Sequence, residues 1–82
     1  MDDIALKAAV EEHMKGQDKF TRRMAITIAL MADMTPKRLV LRCERLGLIK
    51  RGSWDWFEMN GGITKEHIAE VMADLNAAEM SR

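Results

Sequence analysis

The sequence predicts a small all-α (mainly α) domain of four to five helices. Three observations predict it. Apolar residues recur at three- and four-residue spacing in four separate segments. Residues that cap helices, Asp or Thr, stand ahead of those segments, and Gly16 and Gly47 follow two of them. The chain of 82 residues holds only one Pro and five Gly, so the breakers that are present mark boundaries. The length suits one domain, 1–82, with a limited core. An apolar share of 48% with 32% charged is the balance of a globular chain rather than a disordered one.

Residues 3–15 read as the first helix. Asp2 and Asp3 suit its start, Leu6, Val10 and Met14 recur at helical spacing, and Gly16 ends it. The second helix spans 21–32, capped by Asp18 or Thr21. Met24, Ile28 and Met31 form its stripe, and Ala25, Ala29 and Ala32 permit close approach of a neighbour. After the Asp33-Met34 turn, Thr35-Pro36 is a strong helix start, and the third helix runs over 36–46 until Gly47 stops it. Its inward stripe reads Leu39, Cys43 and Leu46. The 100° step then gathers Arg38, Arg42 and Arg45 on another side, flanked by Lys37 and Leu41.

Residues 52–60 allow two readings. Gly52-Ser53 is a hairpin turn in one, pairing Ile49 with Trp56 and Lys50 with Asp55, so that a short β-hairpin wing occupies 48–58. In the other, Ser53 caps a short helix closed by Asn60-Gly61-Gly62, and that stop favours the helix. The last helix spans 64–79, capped by Thr64, with Ile68, Val71, Met72 and Leu75 inward. Leu39, Cys43, Leu46, Ile49, Ile68, Val71 and Leu75 are the expected core, and Trp56 or Phe57 is expected to close it against the last helix.

Charge is sorted along the chain. The formal net charge is zero, yet residues 15–51 hold ten Lys and Arg against three acids, a block of +7. The flanks are acidic. Such sorting points to a positive face and an anionic partner.

The segment from Met24 to Leu39 resembles a helix-turn-helix. Ala29 stands where that motif takes a small residue at the helix crossing, and Leu39 stands at its apolar anchor. The continuation Leu46-Gly47-Leu48-Ile49-Lys50-Arg51 resembles the ending that follows recognition helices in winged-helix proteins. Asp33 stands where Gly is usual. The resemblance covers about a third of the chain. It implies a DNA-binding transcriptional regulator or accessory factor with helix 36–46 as recognition helix. The nucleic-acid-binding residues it implies are Thr35, Lys37, Arg38, Leu41, Arg42 and Arg45 on that helix, Arg22 and Arg23 on the helix before, and Lys50 and Arg51 after. Double-stranded DNA is the expected partner. A homodimer through the first or last helix, with Ala73, Ala77 and Ala78 on the latter, would strengthen the modest grip of one recognition helix.

The rival expectation is an adaptor or inhibitor of phage or mobile-element type, using the same basic face on an acidic protein. No enzyme is expected, since there is no Gly-rich phosphate loop, no evident carboxylate pair and no nucleophile with a recognisable base. No cofactor or metal is expected. His13 and His67 lack a ligand cluster, and Cys43 reads as an inert core thiol. No apolar run approaches bilayer length, and the acidic start Met1-Asp2-Asp3 is unlike a signal peptide, so a cytoplasmic location without membrane contact is expected.

Overall fold

The computed structural model describes residues 1–80, with side chains described through residue 78. Five helices follow in order: α1 (Asp3–Met14), α2 (Arg22–Ala32), α3 (Pro36–Arg45), α4 (Ser53–Met59) and α5 (Lys65–Met80). The fold is all-α. Among the described residues there is no strand, so the hairpin wing around 48–58 is not formed.

The helix starts follow from local chemistry. The Asp2 carboxylate accepts from the Ala5 N–H at 2.7 Å, the Thr21 hydroxyl from Met24 at 3.2 Å and the Thr35 hydroxyl from Arg38 at 3.3 Å. Each satisfies a backbone donor that the first helical turn leaves open. At α5 the reciprocal box closes with a histidine. Thr64 Oγ1 accepts from His67 N at 3.2 Å, and His67 Nδ1 accepts from Thr64 N at 3.1 Å. The Glu66 carboxyl in this first turn is held below its ordinary range by its own backbone N–H and then by the Thr64 hydroxyl.

Two helix ends use the same device. After α3, Gly47 is left-handed at φ 72°, Leu48 N donates to Cys43 O at 2.9 Å and Gly47 N to Glu44 O at 3.1 Å. After α2, Met34 N donates to Ala29 O at 2.9 Å and Asp33 N to Leu30 O at 3.3 Å, around Asp33 at φ 54°. Both are Schellman ends. Asp33 is the one described non-glycine residue with positive φ.

α2 is the central helix, packed against α1, α3 and α5. One side of it, Ala25, Ile28 and Ala29, joins Leu6 and Val10 of α1, Leu39, Val40 and Cys43 of α3, and Phe57 of α4 in the main core. Small alanines let α3 approach closely. Ile26 is equally buried but lies about 100° around α2. Arg23, near that side, pairs with Asp74 of α5 at 2.8 Å, which identifies it as the side α5 covers.

Several expected core positions are corrected. On α3 the buried stripe is Leu39, Val40 and Cys43, whereas Leu46 is 39% exposed. The helix ends at Arg45, so Leu46 caps it and turns out of the stripe. Ile49 and Ile68 are only half-buried. Met31 of α2 is exposed because no neighbour covers that side. On α5, Val71 is buried, whereas Met72, one step of about 100° around the helix, and Leu75, one turn further along, are exposed. The aromatic segment is divided. Phe57 is buried in the main core, beside α3 rather than as a lid on α5; Trp54 is half-buried, and Trp56 is 60% exposed.

Ser53 is not the cap of α4. Gly52 holds that position at φ 89°, and Ser53 turns its hydroxyl to donate to Lys50 O at 2.5 Å. Glu44 of α3 supplies the acceptors instead, taking Gly52 N at 2.7 Å and Trp54 N at 3.1 Å. The acid inside the basic helix is thus the joint between α3 and α4.

Candidate nucleic-acid interface

Burial of Leu39, Val40 and Cys43 turns the opposite side of α3 to solvent. Arg38, Leu41 and Arg45 lie on that outer side, separated by three and four residues and therefore stacked turn upon turn. Together with Arg42, Leu46 and Met34 they line one open groove, with Asp3 at its rim. Thr35 stands at the start of α3 as its cap, and Lys37 is exposed in the first turn.

Arg42 is not free in this groove. Its Nε donates to Asp3 Oδ1 at 3.0 Å, its Nη2 donates to the same oxygen, and Nη1 reaches Met1 O at 3.5 Å. Its side chain is 27% exposed, the least of the ion-paired cations among the described residues. The start of α1 therefore holds one arginine of the α3 groove. Arg42 also faces a chemically quiet neighbour. Burial pushes the Cys43 thiol up to about 11, against the opposing pull of Arg42. A thiol so shifted is neither nucleophile nor ligand near neutral pH.

Arg22 and Arg23 belong to the framework. Arg22 donates from Nε to Gly62 O at 3.0 Å and from Nη2 to Asn60 O at 2.9 Å, and its guanidinium stands 5.9 Å from the centre of the Phe57 ring. It ties the start of α2 to the end of α4. Arg23 is engaged with Asp74, though that pair is more than half exposed on both sides and is worth little against a competing phosphate.

Lys50 and Arg51 lie elsewhere. They line a second groove with Lys19, Phe20, Ile49 and Trp56. The ten expected residues are therefore sorted into three sets rather than one face. Arg38, Leu41, Arg42 and Arg45 share the α3 groove, with Thr35 and Lys37 at the helix start. Lys50 and Arg51 share the second groove. Arg22 ties α2 to the end of α4, and Arg23 makes an exposed pair with α5. Of the basic block, Lys19, Lys37, Arg38, Arg45, Lys50 and Arg51 make no ion pair among the described residues. Neither Glu44 as the α4 cap nor Asp3 as the Arg42 partner was readable from local spacing. Trp56 was the visible signal for the second groove, as an aromatic close to Lys50-Arg51. No group of three or more His, Cys, Asp or Glu among the described residues is arranged to hold a metal.

Comparison with known proteins returns no family model, no curated protein and no solved structure that matches the chain.

Proposed function

We propose that this chain binds double-stranded DNA, as a transcriptional regulator or accessory factor, with α2, the Asp33 turn and α3 as a helix-turn-helix of the winged-helix type without its hairpin. The observation that carries the reading is the outer face of α3, where Lys37, Arg38 and Arg45 are exposed with no carboxylate paired to them among the described residues. A helix about 10–12 Å across fits a major groove about 12 Å wide. Lys37 meets backbone phosphate there. Arg38 or Arg45 can grip a guanine edge with two hydrogen bonds, and Leu41 between them can touch a thymine methyl. The role is binding rather than catalysis, and a cytoplasmic location accompanies it. No helix among the described residues is long and apolar enough to cross a membrane.

One recognition helix grips weakly, and a symmetric pair of copies would double the contacts. The exposed Met72 and Leu75 beside Ala73, Ala77 and Ala78 on α5, or Ile4 on α1, offer the surface for it.

The second reading is an acidic protein partner, for an adaptor or inhibitor of phage or mobile-element type. It is favoured by Leu41 and Leu46, 44% and 39% exposed among the arginines of the α3 groove. Arginine beside apolar side chains also suits the core of a protein interface. The deciding experiment is a titration of labelled random-sequence duplex at low salt with the wild-type chain and with Arg38→Glu/Arg45→Glu. The DNA reading expects saturable binding that the double reversal abolishes while the circular dichroism stays unchanged. Binding unaffected by the reversal overturns it.

A further inference from the structure

The second groove is separate from the α3 face and has a different chemistry. Its lining includes the apolar side chains of Met14, Phe20, Ile49 and the buried Phe57. Lys19, Lys50 and Arg51 stand around it against a single acid, Asp18. Trp56, the most exposed ring among the described residues, forms one wall. Its indole meets Phe57 at 5.7 Å between centroids with planes at 74°. That contact braces the indole without covering it, since 60% of the residue remains exposed. Arg22, held by Asn60 and Gly62, stands near Phe57 and keeps the supporting ring in place.

From this placement we infer that the groove binds a single-stranded nucleic acid, with one unpaired base stacked on Trp56 and successive phosphates of the strand on Lys50, Arg51 and Lys19. Two complementarities support that occupant. Unpaired cations flank the groove, which suits a ligand with a repeating negative charge. A rigid, solvent-facing indole suits a flat ring, and aromatic stacking beside cations is how single strands are held without base pairing. A duplex keeps its base faces stacked on one another and has none to offer Trp56. The groove therefore selects single-stranded over double-stranded nucleic acid, the opposite of the α3 face. An acidic peptide would satisfy the cations alone, and it is the competing occupant. The inference does not rest on the duplex-binding reading, and either can fail alone.

The test uses the full chain carrying Trp54→Phe, so that Trp56 is the one indole, with the fold checked by circular dichroism. A short oligothymidylate, a duplex and an oligoglutamate of matched charge are titrated at low salt while the indole emission is followed. The expected result is saturable quenching by oligothymidylate and little change with the other two. Its affinity should fall with salt at a log–log slope of about −2, from about −0.7 for each of three phosphates. A second readout, anisotropy of labelled oligothymidylate with otherwise wild-type chain, should show Trp56→Ala weakening binding by about fivefold or more. Lys50→Glu/Arg51→Glu should abolish it, and Arg38→Glu/Arg45→Glu should leave most of it. Equal binding by Trp56→Ala overturns the inference, as does loss only with the α3 reversal. Tighter binding of oligoglutamate than of oligothymidylate also overturns it and assigns the groove to an acidic peptide.

Discussion

Asp33 occupies a backbone position that glycine fills at the matching end of α3. At φ 54° its Cβ is crowded, and a non-glycine residue in the left-handed region costs about 1–2 kcal/mol, less for Asp. Asp33→Gly removes that cost but frees the unfolded chain by about 0.4–1 kcal/mol, so the net gain should be about half a kcal/mol or less. A thermal melt should show Tm raised by about 3 °C at most, with α2 and α3 otherwise unchanged. Cys43 makes a second residue-level prediction, with a defined sign. Its folded thiol stays protonated up to about 11, whereas the ordinary thiol value is 9.0. Between those values the unfolded chain gives up a proton that the folded chain keeps. The contribution is therefore complete below about pH 9 and is lost as pH rises toward 11, at up to about 1.4 kcal/mol per pH unit. Denaturant unfolding across this window should show that loss in the wild-type chain and not in Cys43→Ala. A disulfide reagent should react with Cys43 only as fast as the core opens.

Helices α1, α2, α3 and α5 were legible because their signals are local. Asp2, Thr21, Thr35-Pro36 and Thr64 each act within three residues of themselves, and all four starts lie where those residues put them. The segment after α3 was ambiguous because Gly52 with its left-handed backbone serves a hairpin turn and a helix entry alike. The deciding residue, Glu44, is eight positions upstream of Gly52 and its acceptors appear only once α3 has formed. Glu44→Ala should therefore cost about 1 kcal/mol or somewhat more, the usual loss when a cap is removed. Hydrogen exchange should show the Gly52 and Trp54 amides losing protection while α1 and α2 keep theirs. Between α1 and α3 the relevant joint is Asp3 with Arg42. Asp3→Asn should weaken that hold and take a negative charge off the rim of the groove. On the DNA-binding reading, duplex affinity at low salt then rises and the salt slope steepens by about 0.9. An unchanged affinity and slope would mean that Arg42 takes no part.

At the scale of the molecule, α2 separates two packing regions, the main core shared with α1, α3 and α4, and the thinner contact with α5. That division explains which inward positions the sequence pattern misplaced. Periodicity locates a stripe on a helix, but of Val71, Met72 and Leu75 the packing buries only Val71. The candidate site was legible to the same degree. A charge block of +7 announced a basic surface, and the helical step placed Arg38 and Arg45 correctly on the outside of α3. It said nothing of Arg22, whose carbonyl partners lie 38 and 40 residues away. Nor did it show that Lys50 and Arg51 turn to a second groove with Trp56. The central claim is that the outer face of α3 meets DNA phosphates, and the salt dependence of duplex binding tests it most directly. With Lys37, Arg38 and Arg45 each neutralising a phosphate, the log–log slope should be about −2.7, from about −0.9 per contact. Arg38→Ala or Arg45→Ala should make it shallower by about one unit. A well-folded chain that binds no duplex at low salt, or whose slope is indifferent to both substitutions, would contradict the account.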